Sequence, residues 1–239
     1  MTTATLYAVR IDSLDAEKVA RFWAGVLGWD AVPDEGGDIS VVPADGTTYR
    51  LVVHPSETEK VDQNRIHFDL TSTDQAAMDA TVARVLELGG QHIDIGQTPD
   101  DGHVVMADPE GNELCVIEPG NNFLSNTGII GGINCDGSQA VGHFWSKALD
   151  WPLVWDQDEE TAIQSPAGGS KVTWSGPPLM DAPEIDRFRL ELGVLTESDL
   201  RSETERLVEL GATLVAPPTT DGAGLLDPDG TAFRIVVTA

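Results

Sequence analysis

The sequence predicts an α+β fold made by a tandem duplication, and three observations support this prediction. Segments of the first half return in the second half in the same order, such as "ARFWAGVLGW" at 20–29 and "GHFWSKALDW" at 142–151. The aromatic pairs within them begin at Phe22 and Phe144, which are 122 positions apart, and other repeated segments keep this distance. Within each half, a strand, a helix and three further strands are predicted twice, so the chain is expected to contain four such units.

The first unit shows this order clearly. Residues 5–12, "TLYAVRID", alternate like a strand, and the next segment has apolar residues at helical spacing from Val19 to Leu27. Gly28 then suits the end of a helix. Two β-rich stretches, "DISVVP" and "YRLVVHP", follow with turn residues between them. The pattern predicts a strand–helix–strand–strand–strand unit.

The second unit restarts the pattern at Arg65. The strand "RIHFDLT" is followed by a helix and by the strands "QHIDI", "HVVMAD" and "NELCVIE". The turn "DPEG" and its duplicate "DPDG" precede the last strand of each half, where Pro and Gly favour a tight turn. We therefore expect two domains, at 4–119 and 127–238, joined by a linker at 120–126.

Composition and charge exclude several functions. The chain has 239 residues, a formal net charge of −26 and 41% hydrophobic residues. Phosphate backbones and anionic membrane surfaces attract basic proteins, so neither nucleic acid nor a membrane is an expected partner. The sequence shows no long apolar run and no basic, apolar leader, so we expect a cytoplasmic protein. Its two cysteines, Cys115 and Cys135, suggest no disulfide framework.

Strand alternation assigns the polar side chains to one open face of each sheet. In "RIHFDL", the apolar residues Ile66, Phe68 and Leu70 are expected to pack under the helix. His67 and Asp69 then point to the opposite face. The same rule places a further set on this open face: Glu113, Cys115, Ile117, Arg187, Arg189, Glu191 and Arg234. A sheet with one helix-covered face and one polar face is expected to form a cup.

The segments "LDAEKVARFWAGVLGW", "NRIHFDL" and "ADPEGNELCVI" resemble those of the vicinal oxygen chelate superfamily. This superfamily includes glyoxalase I, extradiol dioxygenases, and the bleomycin- and fosfomycin-resistance proteins, and the chain looks closest to its two-domain glyoxalase-like members. The resemblance covers nearly the whole chain. It implies that pairs of βαβββ units form two cupped, partly open β-barrels, each with a ligand in its cup. Which units pair with each other is left open.

The resemblance also implies where a metal ion would be held, because the superfamily's metalloenzymes place ligands on the first and last strands of each unit. When one cup is assigned to each half, the first-half positions fall on Ala8, His67, Cys115 and either Leu51 or Val53, with His54 close by on the other face. The second-half positions fall on Ile130, Arg189, Arg234 and either Thr173 or Trp174. Alanine and arginine do not bind metal ions, so both sites are incomplete. No metal cofactor is therefore expected; the alternative is a divalent metal ion held by His67.

His67 and Cys115 allow three interpretations. The pair could supply two ligands of a thiolate–imidazole metal site. It could also be a Cys–His nucleophile pair, which needs the two side chains on adjacent strands and a lowered thiol pKa. In the simplest case, His67 hydrogen-bonds Asp69 or a bound ligand, and Cys115 is a small cup-lining side chain.

Arginine and tryptophan side chains are further candidates for ligand contacts. Arg189 and Arg234 form either an anion clamp for a carboxylate or phosphate, or a structural ion-pair set with Glu191. Trp174 lies on a predicted strand and is a candidate for stacking on a flat ligand, with Trp155 nearby. The sequence alone does not choose between these interpretations.

These residues predict a protein whose cups bind a small organic molecule without the full metal site. It either sequesters this molecule or acts on it by metal-free acid–base chemistry, with His67 and Asp69 as the catalytic residues. The predicted ligand contacts are Arg10, Cys115, Trp174, Arg189, Glu191 and Arg234. The alternatives are a metal-dependent lyase, isomerase or dioxygenase that uses His67, and a structural or regulatory protein whose duplicated domains bind only each other. A homodimer is compatible with each of them.

Overall fold

The four-unit order predicted from the sequence is present in the computed structural model, which describes residues 2–98, 101–181 and 186–238. The elements of the first half are β1 (Thr5–Ser13), α1 (Ala16–Leu27), β2 (Asp30–Pro33), β3 (Ile39–Val42), β4 (Arg50–Pro55), β5 (Ile66–Leu70), α2 (Gln75–Glu87), β6 (Gln91–His92), β7 (Val104–Ala107) and β8 (Glu113–Val116). The elements of the second half are β9 (Ile130–Cys135), α3 (Gln139–Leu149), β10 (Leu153–Gln157), β11 (Glu160–Gln164), β12 (Lys171–Trp174), β13 (Phe188–Val194), α4 (Glu197–Leu210), β14 (Thr213–Leu214), β15 (Gly222–Leu226) and β16 (Ala232–Val237). The order βαβββ is thus repeated four times.

The strands form two eight-stranded sheets. Sheet 1 has the order β14-β15-β16-β13-β1-β4-β3-β2, and sheet 2 has the order β10-β11-β12-β9-β5-β8-β7-β6. In each sheet, two units meet through their antiparallel first strands, β1 with β13 and β5 with β9. The predicted α+β class and the cups are confirmed, and each cup is an open sheet that does not close into a barrel.

Each sheet combines one unit from each half of the chain, which corrects the assignment of one cup to each half. The first and fourth units form sheet 1, and the second and third units form sheet 2. As a result, Ala8 lies opposite Glu191, and His67 lies opposite Asn134. The repeat could not reveal this arrangement, because all four units present similar first strands to a partner. The predicted site residues of the first and fourth units therefore share one cup, and those of the second and third units share the other.

The apolar faces of the strands meet in one continuous core. Ile66, Phe68 and Leu70 are buried, as strand alternation predicted. Aromatic rings pack edge to face from Trp23 to Phe68 and on to Phe188, with centroid distances of 5.1 and 5.5 Å. Such pairs contribute about 0.5–1.5 kcal/mol each beyond the area they bury. Because these rings come from three different units, both sheets share one hydrophobic core.

The repeated turn holds a helix tryptophan in each half. The predicted turns are present, each closed by a backbone hydrogen bond from its glycine to its first aspartate. The Trp23 indole N–H donates to Asp108 Oδ2 at 3.3 Å, and Trp145 donates to Asp227 Oδ2 at 3.2 Å. Burial raises the pKa of Asp227 to about 6, although hydrogen bonds from Thr231 and Trp145 oppose this change. The turn is therefore also a packing element.

The four helices pack against the apolar faces of the sheets. Each begins after a side chain that accepts a hydrogen bond from its first turn, and these N-caps are Asp15, Asp74, Ser138 and Thr196. The longest, α4, has 14 residues. Among the described residues, no helix has the length and apolar character that crossing a membrane requires.

Candidate functional site

The concave face of sheet 1 carries a network of opposite charges. We call it the sheet-1 charge network, and its members are Arg10, Asp12, Asp38, His54, Arg189, Glu191 and Arg234. Arg10 Nη1 lies 3.0 Å from Asp38 Oδ2 and 3.6 Å from Glu191 Oε1. Arg234 Nη1 lies 3.4 Å from Glu191 Oε1. Burial raises the pKa of Glu191, and the charges of Arg10 and Arg234 oppose this rise. The structure thus shows an ion-pair set, and contact of these residues with a ligand stays a prediction.

His54 belongs to this network, although the sequence placed it on the other face. Its Nδ1 lies 2.5 Å from Asp38 Oδ1. His54 faces the cup because, in the pairing of β4 with β1, its register partner is Asp12, a residue of the concave face. Leu51 and Val53, the positions that the resemblance assigned to the cup, are fully buried in the core instead.

The concave face of sheet 2 brings His67, Asp69 and Cys115 together. Asp69 and Cys115 are register partners on the adjacent strands β5 and β8, and His67 precedes Asp69 by two residues on the same face. The ligand-type atoms of the three side chains lie within 4.8 Å of one another, and His67 Nε2 is 3.5 Å from Asp69 Oδ1. We call this group the His67 cluster. The side chains of His67 and Asp69 are 23% and 14% exposed, so solvent reaches them.

His67 is held in its protonated form. Burial lowers its pKa, but hydrogen bonds with Asp69 and Cys115, together with their charges, outweigh burial and raise the pKa to about 10. A group with such a pKa is neutral in only about one molecule in a thousand at pH 7. Near neutral pH, His67 is therefore a hydrogen-bond donor and a positive charge rather than a base.

The donor set of the His67 cluster fits a divalent metal ion. Imidazole nitrogen, carboxylate oxygen and thiolate sulfur all bind zinc and similar ions, and three protein ligands leave a position open for a substrate. With metal–ligand bonds of about 2.0–2.3 Å, two donors of one ion are at most about 4.6 Å apart. The separations of up to 4.8 Å in this cluster require only a small side-chain adjustment. Asp69 thus adds a third donor to the two that the resemblance had assigned.

One side of this concave face is apolar and is covered by the linker. Val105, Cys115 and Ile117 form a second hydrophobic cluster with Leu124. Leu124 lies in the segment that joins the two halves of the chain. The linker therefore contributes to the wall of the site, which the sequence did not predict, and Cys115 lies at the border between the apolar wall and the polar groups.

Two further positions that were assigned to a cup lie in the core. Trp174 is 2% exposed, and its ring stacks on Trp145 at a centroid distance of 6.5 Å. This placement corrects the prediction of Trp174 as a ligand contact. Ile130 is fully buried opposite Leu70, because a register shift beside Asp69 turns its side chain towards the core.

Sequence reasoning did not single out Asn134 and Asp38, which the structure places in the two cups. Asn134 is the register partner of both His67 and Thr173 in sheet 2. Asp38 lies beside Arg10 in sheet 1. Alternation was the available signal for both residues, since their apolar neighbours along the chain belong to the core.

Comparisons with known proteins agree with this fold. Residues 8–117 and 132–236 match the family model of the glyoxalase-like domain. No curated protein matches the sequence. Glyoxalase I from Zea mays has a similar structure, with a TM-score of 0.69 and 12% identity over 98% of this chain and 92% of its own. A proposed dioxygenase from Bacillus subtilis has a TM-score of 0.64 and 13% identity over 99% of this chain and 86% of its own.

Proposed function

The chain belongs to the glyoxalase-like domain family, and on that basis we propose that the concave face of sheet 2 binds a small organic molecule at the His67 cluster. The observation that carries this proposal is the convergence of His67, Asp69 and Cys115 within 4.8 Å of one another. Convergent ionisable groups on a concave surface, one of them with a strongly shifted pKa, are typical of a binding or catalytic site.

Sheet 2 supports this proposal better than sheet 1 does. In the sheet-1 charge network, the arginines already have carboxylate partners, and Arg10 and Glu191 are only 7% and 3% exposed. A ligand that displaced one member of a buried pair would leave an uncompensated charge, at a cost of about 3–5 kcal/mol. His67 and Asp69 are more accessible than Arg10 and Glu191, so a ligand can reach them without displacing a member of that buried pair.

His67 supplies a positive charge and a hydrogen-bond donor to the bound molecule. These properties favour a ligand with a carbonyl or carboxylate oxygen, because the imidazolium stabilises negative charge on that oxygen. Asp69 orients the imidazole and keeps it protonated. In a metal-free reaction, the proton would pass from His67 to the ligand oxygen. In this proposal, His67 is the proton donor, and Asp69 is the carboxylate that keeps His67 protonated.

A metal-dependent reaction is the second candidate, and the donor set of the His67 cluster favours it. His67, Asp69 and Cys115 would hold the ion, and His67 would lose its proton on binding it. A divalent ion at this place supplies a Lewis acid that polarises a substrate oxygen. Asn134, the neighbour of His67 across the strands, would then lie beside the substrate as a further hydrogen-bonding group.

Metal analysis and ligand binding together test both candidates. Protein purified without an affinity tag is treated with EDTA, incubated with Zn²⁺, Fe²⁺, Mn²⁺ or Ni²⁺, passed through gel filtration and analysed for bound metal. Separate samples are screened by ligand-observed NMR against benzoate, 2-naphthoate, pyruvate and succinate. The variants are His67→Ala and, as a matched control, His92→Ala, since His92 is exposed on the outer strand of the same sheet.

We expect at least one carboxylate to bind in the absence of metal. Loss of a charged hydrogen-bond donor should weaken this binding about tenfold or more in His67→Ala, whereas His92→Ala should match the wild type. Near-stoichiometric metal that is retained by the wild type and lost in His67→Ala would favour the second candidate. If no carboxylate and no metal binds, or if His67→Ala changes neither, both candidates are wrong.

A further inference from the structure

A row of side chains crosses the concave face of sheet 2 from its edge to the His67 cluster. Its members, which we call the Trp155 row, are successive register partners on β10, β11, β12, β9 and β5: Trp155, Ala162, Thr173, Asn134 and His67. Register partners share one face of a sheet. This face is the concave one, because the residues that flank Thr173 and Asn134 along their strands belong to the core. The row therefore leads from the mouth of the cup to the proposed site.

The outer end of the row is an aromatic wall. Trp155 is 36% exposed, and its ring meets that of Phe123 edge to face at a centroid distance of 6.1 Å. Phe123 comes from the segment between the two halves, and the Lys171 ammonium lies 4.3 Å from the centre of its ring. Lys171 also donates a hydrogen bond to the Phe123 carbonyl oxygen. These contacts fix the aromatic pair at the mouth of the cup, where it offers a flat molecule a stacking surface.

The middle of the row contains a hydroxyl group that lacks a partner. Thr173 is 8% exposed, and within residues 2–98, 101–181 and 186–238 its Oγ1 has no hydrogen-bond partner. A buried hydroxyl left unpaired costs about 1–3 kcal/mol, so a ligand that pairs with Thr173 recovers part of this free energy. Between Thr173 and Trp155 the row carries only the methyl group of Ala162. The aromatic wall and the free hydroxyl are thus neighbours on one face.

Building on the proposed function of this site, we infer that the ligand is a planar aromatic carboxylate of two or three fused rings. Its rings stack on Trp155 beside Phe123. Its carboxylate accepts hydrogen bonds at the inner end of the row, where Thr173, Asn134 and His67 all carry donors. Two to four strand spacings separate β10 from the strands that carry these donors, about 10–19 Å along the sheet, and this span exceeds the length of a single ring. The aromatic wall, the donors and this length together define the ligand class.

Isothermal titration calorimetry with 2-naphthoate and anthracene-2-carboxylate tests this inference. We expect Trp155→Ala to weaken binding about 3- to 10-fold, whereas Trp155→Phe, which keeps a stacking ring, should stay within about twofold of the wild type. Thr173→Val keeps the shape of the side chain but removes the hydroxyl, and it should weaken binding about 3- to 10-fold. Val32→Ala and Thr213→Val are matched controls on the outer strands of sheet 1, where both residues are exposed, and they should bind like the wild type.

Two further probes separate the ring from the carboxylate. Cyclohexanecarboxylate lacks the aromatic ring and 2-naphthylmethanol lacks the charge, so both should bind more weakly than 2-naphthoate. Undetectable binding of both aromatic carboxylates, equal binding of cyclohexanecarboxylate, or unchanged affinity in Trp155→Ala and Thr173→Val would overturn the inference. His67→Ala keeps the two proposals distinguishable. If it alone weakens binding of the carboxylates, the aromatic inference fails and the proposed function stands.

Discussion

Asp69 and Cys115 are register partners on the adjacent strands β5 and β8, and both side chains face the cup of sheet 2. His67 lies on the same face two residues before Asp69, with its Nε2 3.5 Å from the Asp69 carboxylate. Asp69 and Cys115 therefore both act on the protonation of His67. The pKa of His67 depends on its contacts with Asp69 and Cys115, so measuring this pKa tests whether the three side chains lie together.

Asp69→Asn should lower the pKa of His67 from about 10 towards the ordinary value of 6.5, because it removes the carboxylate that accepts the imidazole proton. Cys115→Ser should lower the pKa by less. A pH titration of the His67 ring protons by NMR measures both effects. Asp221→Asn, at an exposed position, is the control and should leave the pKa unchanged. An unchanged His67 pKa in Asp69→Asn would show that the pair does not form in solution.

The stability of the chain should fall as the pH rises through the mildly alkaline range. The folded-state pKa of His67, about 10, lies above the ordinary value of 6.5, so between these values the folded state binds more protons than the unfolded state. His67 thus stabilises the fold fully below the lower value, and its contribution decreases with a slope of at most about 1.4 kcal/mol per pH unit above it. Urea unfolding from about pH 7 to about pH 8.5, in EDTA, measures this slope. His67→Gln should be less pH-dependent, and equal slopes in both proteins would contradict the assignment.

Glu191→Gln should destabilise the fold, because it leaves the buried guanidinium of Arg10 with less compensation and removes the partner of Arg234. Breaking one side of a buried pair typically costs about 3–5 kcal/mol. Glu205→Gln, at an exposed position of α4, is the matched control and should change the unfolding free energy by less than about 0.5 kcal/mol. Chemical denaturation of the three proteins gives the comparison. A cost for Glu191→Gln as small as that of the control would mean that the network contributes little to stability.

Gly142→Ala should destabilise the fold, even though the duplicate position carries Ala20. A Cβ at position 142 would overlap the Thr161 side chain and approach Trp174 to 3.1 Å. Overpacking of this kind costs about 1–3 kcal/mol. Thr161→Ala combined with Gly142→Ala should recover part of the loss, and a double-mutant cycle by urea unfolding measures this coupling. Additive effects in the cycle would argue against the close contact.

Strand alternation was enough to place most of the candidate site. It assigned His67 and Asp69 to the open face of β5 and Cys115 to the open face of β8, and the structure agrees because a strand whose apolar residues enter the core must turn the others away from it. Alternation also applies to the strand "KVTW". It puts Lys171 and Thr173 on one face, and Val172 and Trp174 on the other. The pattern places Trp174 with Val172 on the core face, and only the size and flatness of its ring favoured a ligand contact.

Register shifts and contacts of the linker could not be predicted from local sequence patterns. The register shift beside Asp69 sets the face of Ile130, and it depends on how β5 and β9 fit together. The packing of Leu124 and Phe123 against the cup depends on the path of the linker across sheet 2. Neither follows from the composition of the segment concerned.

The duplication, the order of elements and the open faces of β5 and β8 were readable from the amino-acid order, because each depends on contacts within one unit. The choice of partners among the four units came from the folded arrangement. Each unit offers a similar first strand, so the pairing depends on contacts between residues far apart in the chain, such as those of β1 with β13 and of β5 with β9. That choice placed the arginines of the fourth unit beside Arg10 and left His67 with Asn134. It thereby gave one cup a network of paired charges and the other the His67 cluster.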